Sequence, residues 1–199
     1  MKYLVGIDEA GRGPIAGPVA VGVFAVREKI QHQMLNFFPR GQVRDSKKLS
    51  PLLREKIYKS LVVEEALGRI SFSVSLASAR LIDEKGITFA IRLALSTALA
   101  KLRLKPSEAE VLLDGGLKAP KDFQNQKTII KGDEKEAVIA LASIVAKVSR
   151  DRKMQAFARK FPGYGFEIHK GYGTRRHYEA LAKNGLCPIH RQSFLKSLK

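Results

Sequence analysis

The sequence predicts an α/β fold, because short apolar runs typical of buried strands alternate along the chain with longer segments of helical periodicity. Several of the strand candidates end in an acidic residue followed by glycine, which interrupts regular structure at the strand end. With 199 residues, of which 45% are hydrophobic, the chain is long enough for one domain with its own core. We therefore expect residues 1–199 to form a single domain.

The first strand candidate covers residues 3–7 and leads directly into Asp8 and Glu9. Acids at the end of a buried strand are costly unless they are paired, solvated or bound to a cation. Because successive side chains of a strand point to opposite faces, Glu9 is expected past the strand end, on the following turn. The chemical interpretation is a metal site, and the alternative is a strand that simply ends in surface acids.

A glycine-rich turn follows, in which Gly11 and Gly13 flank Arg12. Glycine permits positive φ or a close approach of the backbone to a ligand, and the planar guanidinium group suits phosphate. Residues 18–26 form a second strand candidate, and a hairpin between the two strands would place the turn between them. The turn is therefore a candidate phosphate site beside the acids, and an ordinary surface turn is the alternative.

The remaining elements are predicted from caps and periodicity. Ser50 is a favoured helix N-cap and Pro51 suits the first helical position, so a helix is expected from there to about residue 67. Residues 70–76 alternate between apolar and polar, as in a half-buried strand. Small residues in the first half of a long helix permit close packing on a sheet. The later candidates are helices at 78–85 and 88–104, strands at 110–114 and 128–131, the long helix at 136–160, a loop at 163–173 and short helices at 175–183 and 191–199.

Positive charge is the strongest signal in the composition. Lys and Arg total 36 against 19 Asp and Glu, a formal net charge of +17. Such an excess favours a polyanionic partner, and nucleic acid is the first candidate. An anionic membrane surface is the second, but no long amphipathic basic helix supports it. A basic protein without such a partner is the remaining alternative.

The cysteine and apolar content exclude other classes of protein. Cys187 is the only cysteine, which excludes an intrachain disulfide and a multi-cysteine zinc cluster. No apolar stretch approaches the ~20 residues that a membrane helix needs. The apolar run at residues 3–7 is too short for a signal peptide core, so we expect a cytoplasmic protein that does not bind membranes.

The acids that follow the strand candidates form the main chemical hypothesis: Asp8 with Glu9, then Asp114, then Asp133. Ligands collect at the carboxyl ends of parallel strands, so these carboxylates converge if their strands run parallel and adjacent. Hard oxygen donors without His or Cys select magnesium or manganese. Two such ions would stabilise the attacking and leaving oxygens of a phosphoryl transfer. Taken singly, each acid also suits a helix cap or a turn.

A basic pair precedes the helix expected at Pro51. Lys47 and Lys48 lie where a phosphate would meet both ammonium groups and the first amides of the helix. A solvated basic loop explains the two lysines equally well.

Six blocks of sequence carry a family resemblance: residues 6–13, 45–49, 113–115, 131–133, 142–151 and 170–174. In content and order they resemble type 2 ribonuclease H, the ribonuclease HII family, from residue 6 to about residue 194. The turn at 11–13 is similar to type 2 rather than to the sister type 3 enzymes. The resemblance implies a ribonuclease H-like fold, with a mixed central sheet flanked by helices and a helical carboxyl-terminal region.

The resemblance also implies an activity. The family hydrolyses the RNA strand of RNA–DNA hybrids and nicks duplex DNA 5′ to a single embedded ribonucleotide, leaving 3′-hydroxyl and 5′-phosphate ends. Its catalytic acids, which bind Mg²⁺ or Mn²⁺, correspond to Asp8, Glu9, Asp114 and Asp133. Asp151, between two arginines, is expected to form a local ion pair instead. The rivals are a non-catalytic nucleic-acid-binding module and a type 3-like enzyme.

Substrate contacts are implied in the same way. The backbone of Gly11, Arg12 and Gly13 corresponds to the turn that senses the ribose 2′-hydroxyl, the group that distinguishes RNA from DNA. Tyr172 corresponds to the tyrosine that stacks at the RNA–DNA junction, and a core or rim tyrosine is the alternative. The chain is expected to bind nucleic acid as a monomer, with residues 163–199 touching the substrate. The expected phosphate contacts, for which general charge is the alternative, are Lys47, Lys48, Lys147 and Lys170.

Overall fold

The computed structural model describes residues 2–33 and 49–195, which form a five-stranded sheet with helices on both faces. In space the strands follow the order β3-β2-β1-β4-β5. β2 is antiparallel to both β1 and β3, whereas β4 is parallel to both β1 and β5. The expected mixed sheet is therefore confirmed. The strands are β1 (Tyr3–Ala10), β2 (Val19–Arg27), β3 (Ile70–Ala77), β4 (Ala109–Asp114) and β5 (Gln126–Ile129).

Seven α-helices lie between residues 51 and 184. The helix at Pro51 begins as predicted, with Ser50 Oγ accepting the N–H of Leu53 and proline at the first position. Two expectations are wrong: the described part of 191–199 holds only a 3-10 turn at Gln192–Phe194, and the loop at 163–173 contains a short helix. No helix described is both long and apolar enough to cross a bilayer. The helices are α1 (Pro51–Ala66), α2 (Ala79–Lys85), α3 (Ile87–Lys101), α4 (Gly132–Lys135), α5 (Ala137–Lys160), α6 (Phe166–His169) and α7 (Arg175–Asn184).

The long helix α5 packs directly on β1 and β2 because glycines leave room for its backbone. A Cβ atom on Gly6 would lie 2.1 Å from the carbonyl oxygen of Val138, and one on Gly22 would lie 2.3 Å from that of Ala142. The small residues predicted to permit close packing thus meet glycines on the strands. This contact brings α5 against the end of β1 that carries the predicted acids.

Candidate active site

Parallel pairing brings the acids of β1 and β4 to the same end of the sheet. Ile7 lies opposite Leu113, so Asp8 and Asp114 occupy the next position of each strand. Because side chains alternate along a strand, both acids lie on the face that α5 covers, where Leu112 also packs. The predicted convergence of these two strands is therefore present.

Asp133 lies near the same end of the sheet, a few residues after β5. After β5 the chain enters α4, where the N–H of Gly132 donates to Asp114 Oδ1 at 2.6 Å. A Cβ atom on Gly132 would lie 2.5 Å from Ile139 Cδ1, so a larger residue there would displace the Ile139 side chain. Asp133 follows directly and is 2% exposed. The backbone of α4 is thus tied to the side chain of Asp114.

Glu9 lies inside β1, so the expectation that it sits on the following turn is wrong. β1 continues to Ala10 because its antiparallel pairing with β2 extends that far, with Glu9 opposite Val21. On its other side, β1 pairs with β4 only as far as Ile7. Glu9 therefore extends beyond the end of β4, and its carboxylate lies 3.4 Å from Nη1 of Arg12.

Burial perturbs the titration of these acids. Burial raises the pKa of Asp8 to about 8, and the nearby charges of Glu9 and Asp114 add to this, whereas the neighbouring Ser143 hydroxyl group opposes it. Burial also raises the pKa of Glu9. The positive charge of Arg12 opposes this increase, and the negative charge of Asp114 adds to it. Asp8 Oδ1 accepts the N–H of Glu9 at 2.7 Å, but Asp8 Oδ2 is buried without a hydrogen-bond partner in the described residues.

This environment fits a divalent cation. A buried carboxylate oxygen that lacks a donor and lies near two further acids is stabilised by positive charge. The donors are all oxygens, as Mg²⁺ and Mn²⁺ prefer. As the side chains stand, no three Asp, Glu, His or Cys residues within 2–33 and 49–195 are close enough to enclose an ion. A cation bound by three of these acids at once therefore requires some of their side chains to rotate.

The glycine-rich turn presents its backbone at the surface beside Glu9. Gly11 has a φ of +89°, and a Cβ atom there would lie 1.9 Å from Nε of Arg150, so both conformation and packing require glycine. Gly13 has open space at its Cβ position, and both Arg12 and Gly13 are exposed. The turn is thus rigidly packed at its base and accessible at its tip.

A groove of about 410 Å³ brings together three of the predicted substrate residues, Lys147, Lys170 and Tyr172. Tyr172 is 45% exposed, so its ring is available for stacking. Lys147 Nζ lies 2.9 Å from Asp151 Oδ1, which confirms a local ion pair at this acid, with a lysine rather than an arginine. Burial lowers the pKa of Lys147. The Lys170 ammonium group donates to the carbonyl oxygen of Glu167.

The segment that precedes α1 is described only from residue 49 onward. Lys47 and Lys48 lie outside the described residues, so their phosphate contacts stay predictions. Arg54, in the first turn of α1, lines the same groove as Lys147. Sequence reasoning missed Arg54, although its place one turn after the N-cap already set it beside the expected phosphate site.

Three buried histidines lie beneath Tyr172 and were not expected. His177 Nδ1 is 2.9 Å from the carbonyl oxygen of Tyr172, and its Nε2 is 3.1 Å from Nε2 of His190. The His169 ring stacks on His177 at 4.3 Å between centroids, and its Nδ1 accepts the N–H of Gly171. These contacts are satisfied together when His177 donates to Tyr172 and His190 donates to His177. All three rings are then neutral.

Low pH is expected to reduce the folding stability through these histidines. Burial lowers the pKa of His177 to about 4, and it lowers the pKa of His169 and His190 as well. As pH falls from 6.5 towards 4 the unfolded chain binds more protons than the folded chain, so folding stability falls, by about 3 kcal/mol for His177 alone.

The acid effect is measured as the free energy of unfolding between neutral pH and pH 4 to 5, together with histidine ring titrations by NMR. Protonation of Asp8 changes the folding stability in the opposite direction, so the measurement uses Asp8→Asn protein. Unchanged stability across this range, together with a His177 that titrates at its ordinary value, would contradict the prediction.

Comparison with known proteins identifies the family. The family model described as Ribonuclease HII matches residues 5–197. The chain belongs to the ribonuclease HII family. The ribonuclease HII of Caldicellulosiruptor bescii is 45% identical over 198 residues, which cover 99% of this chain and 88% of that protein. That of Endomicrobium trichonymphae is 46% identical over 191 residues, covering 96% and 84%. The structure of ribonuclease H2 from Pyrococcus horikoshii matches with a TM-score of 0.73 at 28% identity, covering 96% and 93%.

Membership of the ribonuclease HII family makes the chain a nuclease with ribonuclease H activity on RNA–DNA hybrids. The family uses divalent cations, in agreement with the oxygen donors at the ends of β1 and β4. The fold implied by the sequence resemblance is also the fold of the structural relatives. The alternative of a non-catalytic nucleic-acid-binding module is therefore not supported.

Proposed function

We propose that the chain nicks duplex DNA 5′ to a single embedded ribonucleotide, in addition to cleaving RNA–DNA hybrids, and leaves 3′-hydroxyl and 5′-phosphate ends. The observation that carries this proposal is the convergence of Asp8 and Asp114 on one face of the sheet, beside the exposed turn at residues 11–13. The acids proposed to support hydrolysis and the backbone proposed to recognise the ribose then lie at the same end of the sheet. Cleavage at one chosen nucleotide requires this proximity.

The cations, Mg²⁺ or Mn²⁺, are held by Asp8, Glu9, Asp114 and Asp133. When bound, they supply water activation and charge neutralisation for a two-metal hydrolysis of the phosphodiester. The chain contributes carboxylates on a rigid sheet edge. Because burial raises the pKa of Asp8 to about 8, this carboxyl group releases its proton when a cation binds. Cation affinity therefore increases with pH in the neutral range.

The substrate lies across the turn and the groove, and it is bound by a single-domain monomer whose residues 163–199 contribute to the contact. The N–H groups of Arg12 and Gly13 have no partner in the part of the chain described, so they are available to the ribose 2′-hydroxyl. Tyr172 stacks on a sugar or base at the junction, which its exposure supports. The lysines proposed to contact phosphates are Lys47, Lys48, Lys147 and Lys170.

The experiment that tests the proposal is a cleavage assay with Mg²⁺ and mapping of the product ends. Its substrates are an RNA–DNA hybrid, a DNA duplex that contains one ribonucleotide, and the matching all-DNA duplex. We expect cleavage of the first, a single nick 5′ to the ribonucleotide in the second, and no reaction with the third. Cleavage of the hybrid alone would contradict the proposal and indicate the specificity of a type 3-like enzyme.

A further inference from the structure

Arg191 lies fully buried beneath the glycine-rich turn at residues 11–13, and its three guanidinium nitrogens donate to carbonyl oxygens of the turn and of Gly17. Nη2 donates to the carbonyl oxygen of Gly11 at 2.7 Å, Nη1 to that of Arg12 at 2.9 Å, and Nε to that of Gly17 at 2.9 Å. The backbone N–H of Arg191 also donates to the carbonyl oxygen of Ile15. One residue near the carboxyl end thus fixes the carbonyl directions along the turn.

Arg150 of α5 supports the same turn and is also fully buried. It donates to the carbonyl oxygens of Pro18 at 2.8 Å and Ala16 at 3.2 Å. Its Nε atom occupies the space that a side chain at Gly11 would need. Its guanidinium carbon lies 5.9 Å from the ring centre of Tyr172. Arg150 therefore links the base of the turn to the proposed stacking residue.

Buried cations without acidic partners are costly, which makes these contacts informative. Among the residues described, neither Arg150 nor Arg191 forms a salt bridge. Their charge is instead stabilised by carbonyl dipoles of residues 11–18. Charge-assisted hydrogen bonds of this kind are stronger than neutral ones, so they hold the turn in one conformation.

The geometry of the peptide bond carries this constraint to the surface. The described peptides are trans, so the C=O and N–H of each peptide point in opposite directions. When Arg191 draws the carbonyl oxygens of Gly11 and Arg12 inward, the N–H groups of Arg12 and Gly13 must point away from it. Neither of these two N–H groups has a hydrogen-bond partner among the described residues.

We propose that Arg191 is a positioning residue for ribose recognition, which it controls by aiming the N–H groups of Arg12 and Gly13 at the sugar. The inference rests on the proposed function of the turn as the part that reads the 2′-hydroxyl. Arg191 is buried and does not touch the substrate. Ribose specificity therefore depends on a side chain 180 positions away from the carbonyl of Gly11 that it holds.

The test measures ribose discrimination without chemistry. Binding to a duplex with one ribonucleotide and to the matching all-DNA duplex is compared in Asp8→Asn protein. The readout is the Kd for the all-DNA duplex divided by the Kd for the ribonucleotide duplex. Arg191→Lys keeps the charge but lacks the planar fork, so we expect the ratio to fall about tenfold while all-DNA binding is unchanged. The matched control is Arg152→Lys, at a partly exposed arginine paired with Glu55, and it should leave the ratio unchanged.

The possible outcomes separate the inference from the function on which it rests. An unchanged ratio in folded Arg191→Lys protein overturns the inference, whereas no ribonucleotide preference in Asp8→Asn protein itself overturns the proposed function of the turn. If Arg191→Lys does not fold, NMR of Asp8→Asn protein that keeps Arg191 decides. The ribonucleotide duplex, but not all-DNA, should then shift the amides of Arg12 and Gly13 together with the Nε–H of Arg191. An unshifted Arg191 Nε–H overturns the inference.

Discussion

Asp8→Asn is expected to slow cleavage of both the RNA–DNA hybrid and the single-ribonucleotide duplex on the order of a thousandfold. The amide keeps the shape of the side chain and its acceptor for the N–H of Glu9. It loses the negative charge of the carboxylate, whose buried Oδ2 atom has no hydrogen-bond partner in the described structure. The measurement is the initial rate on each substrate at saturating Mg²⁺.

Glu110→Gln is the matched control for this variant. Glu110 is an exposed acid on β4, the strand that also carries Asp114, so the same chemical change is made at a position outside the site. This control should cleave at the wild-type rate. Full activity of Asp8→Asn would refute the assignment of Asp8 as a metal ligand, and equal losses in both variants would indicate a general effect on the fold.

The same substitution is expected to stabilise the protein when no divalent cation is present. The folded chain raises the pKa of Asp8 from 3.8 to about 8. As pH rises through this range, the unfolded chain ionises the carboxyl group while the folded chain keeps it protonated, so the stability of the wild-type protein falls. Asparagine has no proton to lose. At pH 8 the difference is on the order of several kcal/mol in favour of the variant.

Melting temperatures in the presence of EDTA test this expectation across the range from pH 5 to pH 9. The gap between Asp8→Asn and the wild type should widen until about pH 8, the pKa of Asp8, and then stay constant. Adding Mg²⁺ should raise the melting temperature of the wild type and narrow the gap, because the ion binds only the folded chain. A gap that does not change with pH, or a variant that is less stable at every pH, would rule out a charge effect.

Together the two outcomes would show that Asp8 reduces stability in order to support function. A buried carboxylate next to other acids is unfavourable for folding alone, and it becomes useful when a cation binds. Replacement by a neutral amide reverses both effects, which a residue with a purely structural role would not do.

The sequence by itself determined the local elements and the chemistry of the donors. The N-cap at Ser50, the alternating strand at Ile70–Ala77 and the strands that end in acids all depend on neighbours close along the chain. Such patterns reflect capping, side-chain alternation and turn formation, which act over a few residues. The resemblance to one family then joined the acids into a single hypothesis.

Only the tertiary structure decided how these parts are held. Glu9 lies within β1 because the hairpin register with β2 extends to Ala10, which no local pattern states. Arg150 and Arg191 bind carbonyl groups more than 130 positions away. Every residue has a backbone carbonyl that can accept a hydrogen bond. The residue type at the accepting position therefore does not reveal that such a bond forms. The support beneath the turn was therefore invisible until the chain was folded.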